Sequence, residues 1–201
     1  MEKVCPKRHS RWGYRLVRKR KIFGLGWCKT GTTSLEHGLI KLGFTGPKSE
    51  GKNALKCIET KDYDGLDKII QPYEYFCDYP WFYKDLYKHL DTKYPGSLFI
   101  LTKRETSSWH RSNKSWFGDP TKPNRYNSPV IKSIYGDLDI CVDRYEKHNS
   151  DVIEYFKDRD NFLLFCPTEG ETWDSLCNFL GCDNPHPGKA FMWSNKQEYK
   201  K

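Results

Sequence analysis

Lys21-Ile22-Phe23-Gly24-Leu25-Gly26-Trp27-Cys28-Lys29-Thr30-Gly31-Thr32-Thr33-Ser34-Leu35 decides how this chain is read. The stretch opens on a short apolar run, long enough for a buried strand. It then turns through glycines, a lysine and hydroxyl residues. A helical pattern follows, in which Leu35, Leu39, Ile40, Leu42 and Phe44 are expected to close against a sheet, with Gly43 as the stop signal. A strand, a small-residue loop and a helix N-terminus together form an anion site. The loop amides are unpaired, and the helix dipole adds roughly half a positive charge. Lys29 supplies a full charge. The loop Lys29, Thr30, Gly31, Thr32, Thr33, Ser34 is therefore the candidate phosphate site, with four hydroxyls able to donate to oxygens.

The loop departs from the Walker A pattern, which places its lysine directly after the last glycine. Here Lys29 precedes Gly31. The run Gly26 to Leu35 instead resembles the 5′-phosphosulfate loop of sulfotransferases that use 3′-phosphoadenosine 5′-phosphosulfate (PAPS). In that family a proline commonly stands where this chain has Cys28. The resemblance implies a sulfo donor held by loop amides and by Lys29. Two rival classes share the phosphate-binding logic. One is a binding module that keeps the nucleotide site without catalysis. The other is a P-loop nucleoside triphosphatase or kinase, against which the displaced lysine counts.

At 201 residues one domain is the default. Aromatics make up 15% of the chain and charged residues 30%, which reads as globular rather than disordered. The formal charge of +8 suits an anionic ligand, an anionic polymer or a membrane surface, though most of the lysines read as solvated surface. No apolar run approaches the ~20 residues of a membrane span. Residues 1–20 are basic and lack the apolar core of a secretory signal. The eight cysteines form no CxxC and no zinc spacing, so free thiols in a reducing compartment are expected, and Cys177–Cys182 is the one pair weighed as a disulfide.

Along the chain, residues 1–20 read as a basic lead-in, 21–195 as the domain and 196–201 as a tail. Helices are expected over 48–60 and 64–70, and a strand over Tyr73 to Cys77. Asp78-Tyr79-Pro80 is expected to lead into a helix bearing Phe82, Leu86 and Leu90. Ser97 to Thr102 is the strongest strand, followed by a helix from Glu105 to about Trp116. Residues 117–129 read as a long loop, either a lid or binding loop or a disordered segment, 130–157 as a long helix, Asn161 to Phe165 as the last strand and 170–180 as the last helix. Strands alternating with helices give an α/β fold with a mostly parallel central sheet covered on both faces. Ligands in such folds bind beyond the carboxyl ends of the strands, so Lys29 to Ser34, Asp78, Arg104 and Pro167 to Glu169 are expected to converge.

Arg104 follows the best strand, and Ser112 lies about two helical turns further on. A guanidinium can grip a phosphate with two parallel charge-assisted bonds, and a serine hydroxyl adds a third. This Arg-x7-Ser spacing resembles the family's 3′-phosphate site. With the lysine loop it gives the two anion sites that a donor phosphorylated at both ends needs. Asp78-Tyr79-Pro80 resembles the strand end where family members carry a catalytic base, in some as His-x-Pro. Asp78 is thus the candidate base, with a helix-capping role as the competing or coexisting assignment. His37, His110 and His148 stand behind it. Trp27, Trp109 and Trp116 are candidates for the adenine wall, with core packing preferred for any one of them.

The resemblance continues through Tyr94 to Arg104, Trp109 and Ser112, then Tyr155-Phe156, Leu163-Leu164, Thr168-Glu169-Gly170, Trp173, Leu176-Cys177 and Phe179-Leu180-Gly181. These match a compact, single-domain branch of the family over about residues 20–195. The family implies a P-loop-like three-layer fold. It also implies PAPS as co-substrate, 3′-phosphoadenosine 5′-phosphate (PAP) as product and catalytic roles for Lys29 and Asp78. No metal is expected. A small-molecule or carbohydrate acceptor, no specific nucleic acid and a cytoplasmic setting complete the expectation. The acceptor pocket is assigned to 44–72 and 117–129.

Overall fold

Short apolar runs become four parallel strands. They are β1 (Ile22–Gly24), β2 (Tyr75–Phe76), β3 (Leu98–Thr102) and β4 (Phe162–Phe165), ordered β2-β1-β3-β4. The computed structural model describes residues 20–119, 121, 132, 136–137 and 141–194. The basic lead-in before Arg20, most of the expected 117–129 loop, much of the first part of the expected 130–157 helix and the tail beyond Ser194 lie outside the described residues. Seven helices connect the strands among the described residues: α1 (Thr32–Lys41), α2 (Gly51–Thr60), α3 (Tyr63–Ile70), α4 (Leu86–Lys93), α5 (Thr106–Phe117), α6 (Val142–Tyr155) and α7 (Trp173–Leu180).

The alternation of strand side chains sorts the helices into two layers. Ile22, Leu98 and Ile100 pack with Leu35 and Leu39 of α1 and with Leu176 and Leu180 of α7. Phe23, Phe99 and Leu101 face the other way, onto Leu66 and Ile70 of α3, Leu90 of α4 and Val152 of α6. This is the expected three-layer α/β architecture. A third cluster, of Trp27, Phe82, Tyr83, Trp109, Phe117 and Tyr145 with Leu55 and Cys141, gathers residues from the loop after β1, the segment after β2, and helices α2, α5 and α6 with the N-cap of α6.

Several local expectations are corrected. Ile40 is 53% exposed, because the buried stripe of α1 runs through Leu35, Gly38, Leu39 and on to Leu42, and Ile40 lies a helical step round from it. The strand expected over Tyr73 to Cys77 shortens to two residues, since the Tyr73 amide is taken by the Ile70 carbonyl in a turn. No helix begins at Tyr79–Trp81; α4 starts at Leu86, and Phe82 is buried from the turn before it. Lys21 closes the basic run that reads as a solvated lead-in to the first strand. Its ammonium instead closes the end of α3, donating to the carbonyls of Ile70 at 3.0 Å, Gln71 at 2.9 Å and Tyr73 at 2.6 Å. None of the seven described cysteines is in a disulfide, Cys177 and Cys182 included. No helix among the described residues is long and apolar enough to cross a membrane.

Candidate functional site

The strand order turns between β1 and β3: β2 lies on one side of β1, and β3 and β4 lie on the other. The crevice beyond such a switch point is where open parallel sheets bind ligands. The loop leaving β1 is pressed onto the tip of β3. A Cβ on Gly26 would stand 1.8 Å from the Thr102 hydroxyl oxygen and 2.4 Å from its carbonyl, so only glycine fits. Thr30 donates its hydroxyl to the Trp27 carbonyl at 2.6 Å and accepts from Thr102 at 2.7 Å. The Trp109 indole donates to the Cys28 carbonyl at 3.0 Å, tying the loop to α5.

A cavity of about 140 Å³ lies over this turn. Lys29, Gly31, Thr32, Thr33, Ser34, Asp78, Arg104 and Ser112 all line it. Thr30 is the exception among the expected site residues. Its hydroxyl is spent on the loop's own closure, so its side chain is structural. The backbone turns left-handed at Lys29 (φ 73°) and Gly31 (φ 104°). Gly31 caps α1 without a side-chain bond, and no acidic residue stands in the first turn, so the helix dipole meets the cavity uncompensated. The Lys29 ammonium sits 4.1 Å from the centre of the Trp116 ring, in cation–π contact.

Arg104 is only 9% exposed, and no ion pair among the described residues involves it. A guanidinium taken that far from water needs an anion. Its Nε donates to Ser108 at 2.9 Å, which orients the group. Its backbone is clamped by Tyr145, whose hydroxyl accepts from the Arg104 amide at 3.1 Å and donates to the Arg104 carbonyl at 2.9 Å. Tyr145 in turn stacks on Trp109 with centroids 3.9 Å apart and planes 7° apart. The Thr168 hydroxyl, on the same cavity wall, is buried with no partner among the described residues.

Asp78 reaches the cavity from the end of β2, with a left-handed backbone (φ 64°) rare for a residue with a side chain. The Cys28 thiol donates to its carboxylate at 3.0 Å. The capping role falls away, since the helix it would cap is absent; the Asp78 carbonyl instead accepts from the Trp81 amide at 2.9 Å in a turn. Behind it, Glu36 of α1 accepts from the Tyr75 hydroxyl at 3.4 Å. Burial, and then the charge of Asp78, push the Glu36 carboxyl above the usual range.

The histidines are elsewhere. None of His37, His110 and His148 lines the cavity. The His148 ring donates to the Leu25 carbonyl at 2.8 Å, and burial holds its pKa below the ordinary value. Trp27 and Trp109 are core residues, 6% and 0% exposed, while Trp116 is on the cavity wall. The strand-end rule places Thr168 correctly, and Pro167 packs where a Cβ on Gly31 would be, 3.0 Å away. Trp193 and Ser194 are site residues that sequence reading missed. The Ser194 amide donates to Ser34 at 3.0 Å, its hydroxyl bonds His37 at 2.9 Å, and Trp193 lines the cavity. Their one signal was an apolar run, Phe191-Met192-Trp193, inside a polar tail. Among the described residues no three His, Cys, Asp or Glu side chains gather as a metal site.

The family model described as a sulfotransferase domain matches residues 21–135 and 125–199 of the chain. No curated protein matches it significantly. The matched span holds the lysine loop, Asp78, Arg104 and the returning tail alike. With nearly the whole described fold inside that match, the chain belongs to the sulfotransferase domain family.

Proposed function

We propose that the protein moves a sulfo group from PAPS to a hydroxyl or amine acceptor, within a domain spanning 21–195 and in a cytoplasmic setting. Lys29 and the first-turn amides of α1 hold the 5′-phosphosulfate end. Lys29 also stabilises the charge that builds on the leaving oxygen. Arg104 and Ser112 hold the 3′-phosphate, and Thr168 adds an unpaired hydroxyl to the same wall. Trp116 and Trp193 supply flat surface for the nucleoside. Asp78 takes the acceptor's proton as its oxygen or nitrogen attacks sulfur.

The observation that carries this reading is one cavity shared by a lysine loop, a buried arginine without a carboxylate and a strained aspartate. Thermal shift tests it. PAP is expected to raise the melting temperature, by an amount corresponding to about 2.7 kcal/mol at a hundredfold excess over Kd. ATP with magnesium is expected to shift it far less. Stabilisation by ATP–magnesium alone would point to a nucleoside triphosphatase instead.

A further inference from the structure

A second cavity, of about 380 Å³, opens beside Asp78, walled in part by the 44–72 stretch that the sequence assigns to the acceptor. Asp78 is on the wall of the donor cavity, while its chain neighbours Cys77 and Tyr79 are on the wall of this one. Glu36, one turn along α1 from Thr32 and Thr33, lines it too. The two cavities therefore flank one short segment, with the candidate base between them. The volume lies near the small end of the roughly 300–1,000 Å³ that ligand pockets occupy.

The wall limits what can sit there. Tyr75, Tyr79 and Trp81 contribute aromatic rings. Glu36 and Glu50 share the wall with Lys48 and Lys52, so the formal charges of the lining cancel. An ammonium meets the lysines, and a carboxylate or sulfate meets the glutamates; a charge brought out of water without a clean partner is penalised. A neutral molecule with several hydroxyls meets no such penalty. The glutamates accept from its hydroxyls, Ser49 and the lysines donate to its oxygens, and a ring lies on the aromatic wall. Glu36 takes the Tyr75 hydroxyl on Oε1, which leaves Oε2 for a ligand. Its upward pKa shift, from burial first and Asp78 second, suits a group that shares hydrogen bonds rather than one that holds a cation.

We propose that this cavity binds the acceptor, that the acceptor is a neutral sugar, and that Glu36 holds the hydroxyl next to the one presented to Asp78. The proposal rests on the sulfotransfer reading above. In the step, the acceptor oxygen bonds to sulfur as the bond from sulfur to the 5′-phosphate oxygen breaks. The hydroxyl proton goes to Asp78, and the electron pair leaves on the phosphate. Glu36 is a positioning residue, acting on where the acceptor lies.

The test offers the full chain radiolabelled PAPS with methyl glucoside, glucosamine or glucuronate. Methyl glucoside is expected to show kcat/KM at least about tenfold above either charged sugar. Ser49→Phe, at an exposed bend on the wall, raises its KM about tenfold or more while calorimetry finds PAP affinity unchanged. Glu36→Ala raises KM similarly, and Glu36→Gln, which keeps an accepting oxygen, returns it to within about threefold of the wild type. Preference for a charged sugar, no transfer to methyl glucoside although PAP binds, or an unmoved KM in Ser49→Phe overturns the proposal. Failure to bind PAP at all is a different result: it removes the sulfotransfer reading, and the acceptor assignment goes with it.

Discussion

The two cavities beside Asp78 are built in opposite ways. The donor cavity is made of strand ends and a helix start, and nearly every group in it is held by something else. Thr30 and Thr102 lock the loop, Tyr145 clamps Arg104, Ser108 aims its guanidinium, and Ser194 caps Ser34. The second cavity is walled mostly by the bend leading into α2 and by the segment around β2, with Glu36 of α1 added, and its Lys48 and Ser49 are exposed. On the proposed reading, the chemistry common to the reaction stands at the ends of the strands, while selection among acceptors falls largely to connecting segments that can change without disturbing it.

That contrast can be broken from either side. The largest effect is expected at the boundary: Asp78→Asn should lower turnover by roughly 10²–10⁴-fold with PAP affinity kept, as read by steady-state rates beside calorimetry. Wild-type turnover would remove the base. On the donor side, Lys29→Ala should lower turnover about 10²–10³-fold and weaken PAP binding as well. Arg104→Ala should cost about 1.5–3 kcal/mol of PAP affinity, more than Ser112→Ala at roughly 0.5–1.5 kcal/mol; equal affinities across all three proteins would detach the 3′-phosphate from this site.

The glycines sharpen the comparison. Gly26→Ala forces a methyl into Thr102 and should destabilise the fold by about 1–3 kcal/mol in urea unfolding. Gly51→Ala, on the second cavity, meets its nearest atom at an ordinary 3.4 Å and should stay within about 0.5 kcal/mol of the wild type. The smallest effect is one of pH. His148 is buried neutral, so its folded pKa lies below the unfolded value of about 6.5. The unfolded chain then binds the extra proton, and this contribution to stability is present above about pH 6.5 and lost as pH falls. Melting temperatures should drop between pH 7.5 and 5.5, and His148→Gln should flatten that slope.

The same division governs what could be read without coordinates. Strands and the helices between them announced themselves through apolar period and glycine stops, and the strand-end rule then brought Lys29, Asp78, Arg104 and Thr168 to one place. Three things were not legible. Thr30 carries the same hydroxyl as Thr32 and Thr33, and only the fold turns it inward. Asp78 before a proline read as a helix start, because local pattern does not record a left-handed turn. Trp193 and Ser194 come home over α1 from more than 150 residues away in sequence, a contact that no local spacing encodes.

Gly26 has a wider bearing. With the loop after β1 pressed onto Thr102 at the tip of β3, the floor of the crevice has no room for a side chain at this point. On the proposed reading, a change in nucleotide preference would come from the other walls: from Trp116 on α5, and from the returning chain that carries Trp193. Relatives that hold the floor and vary those walls would be the place to look for altered donors.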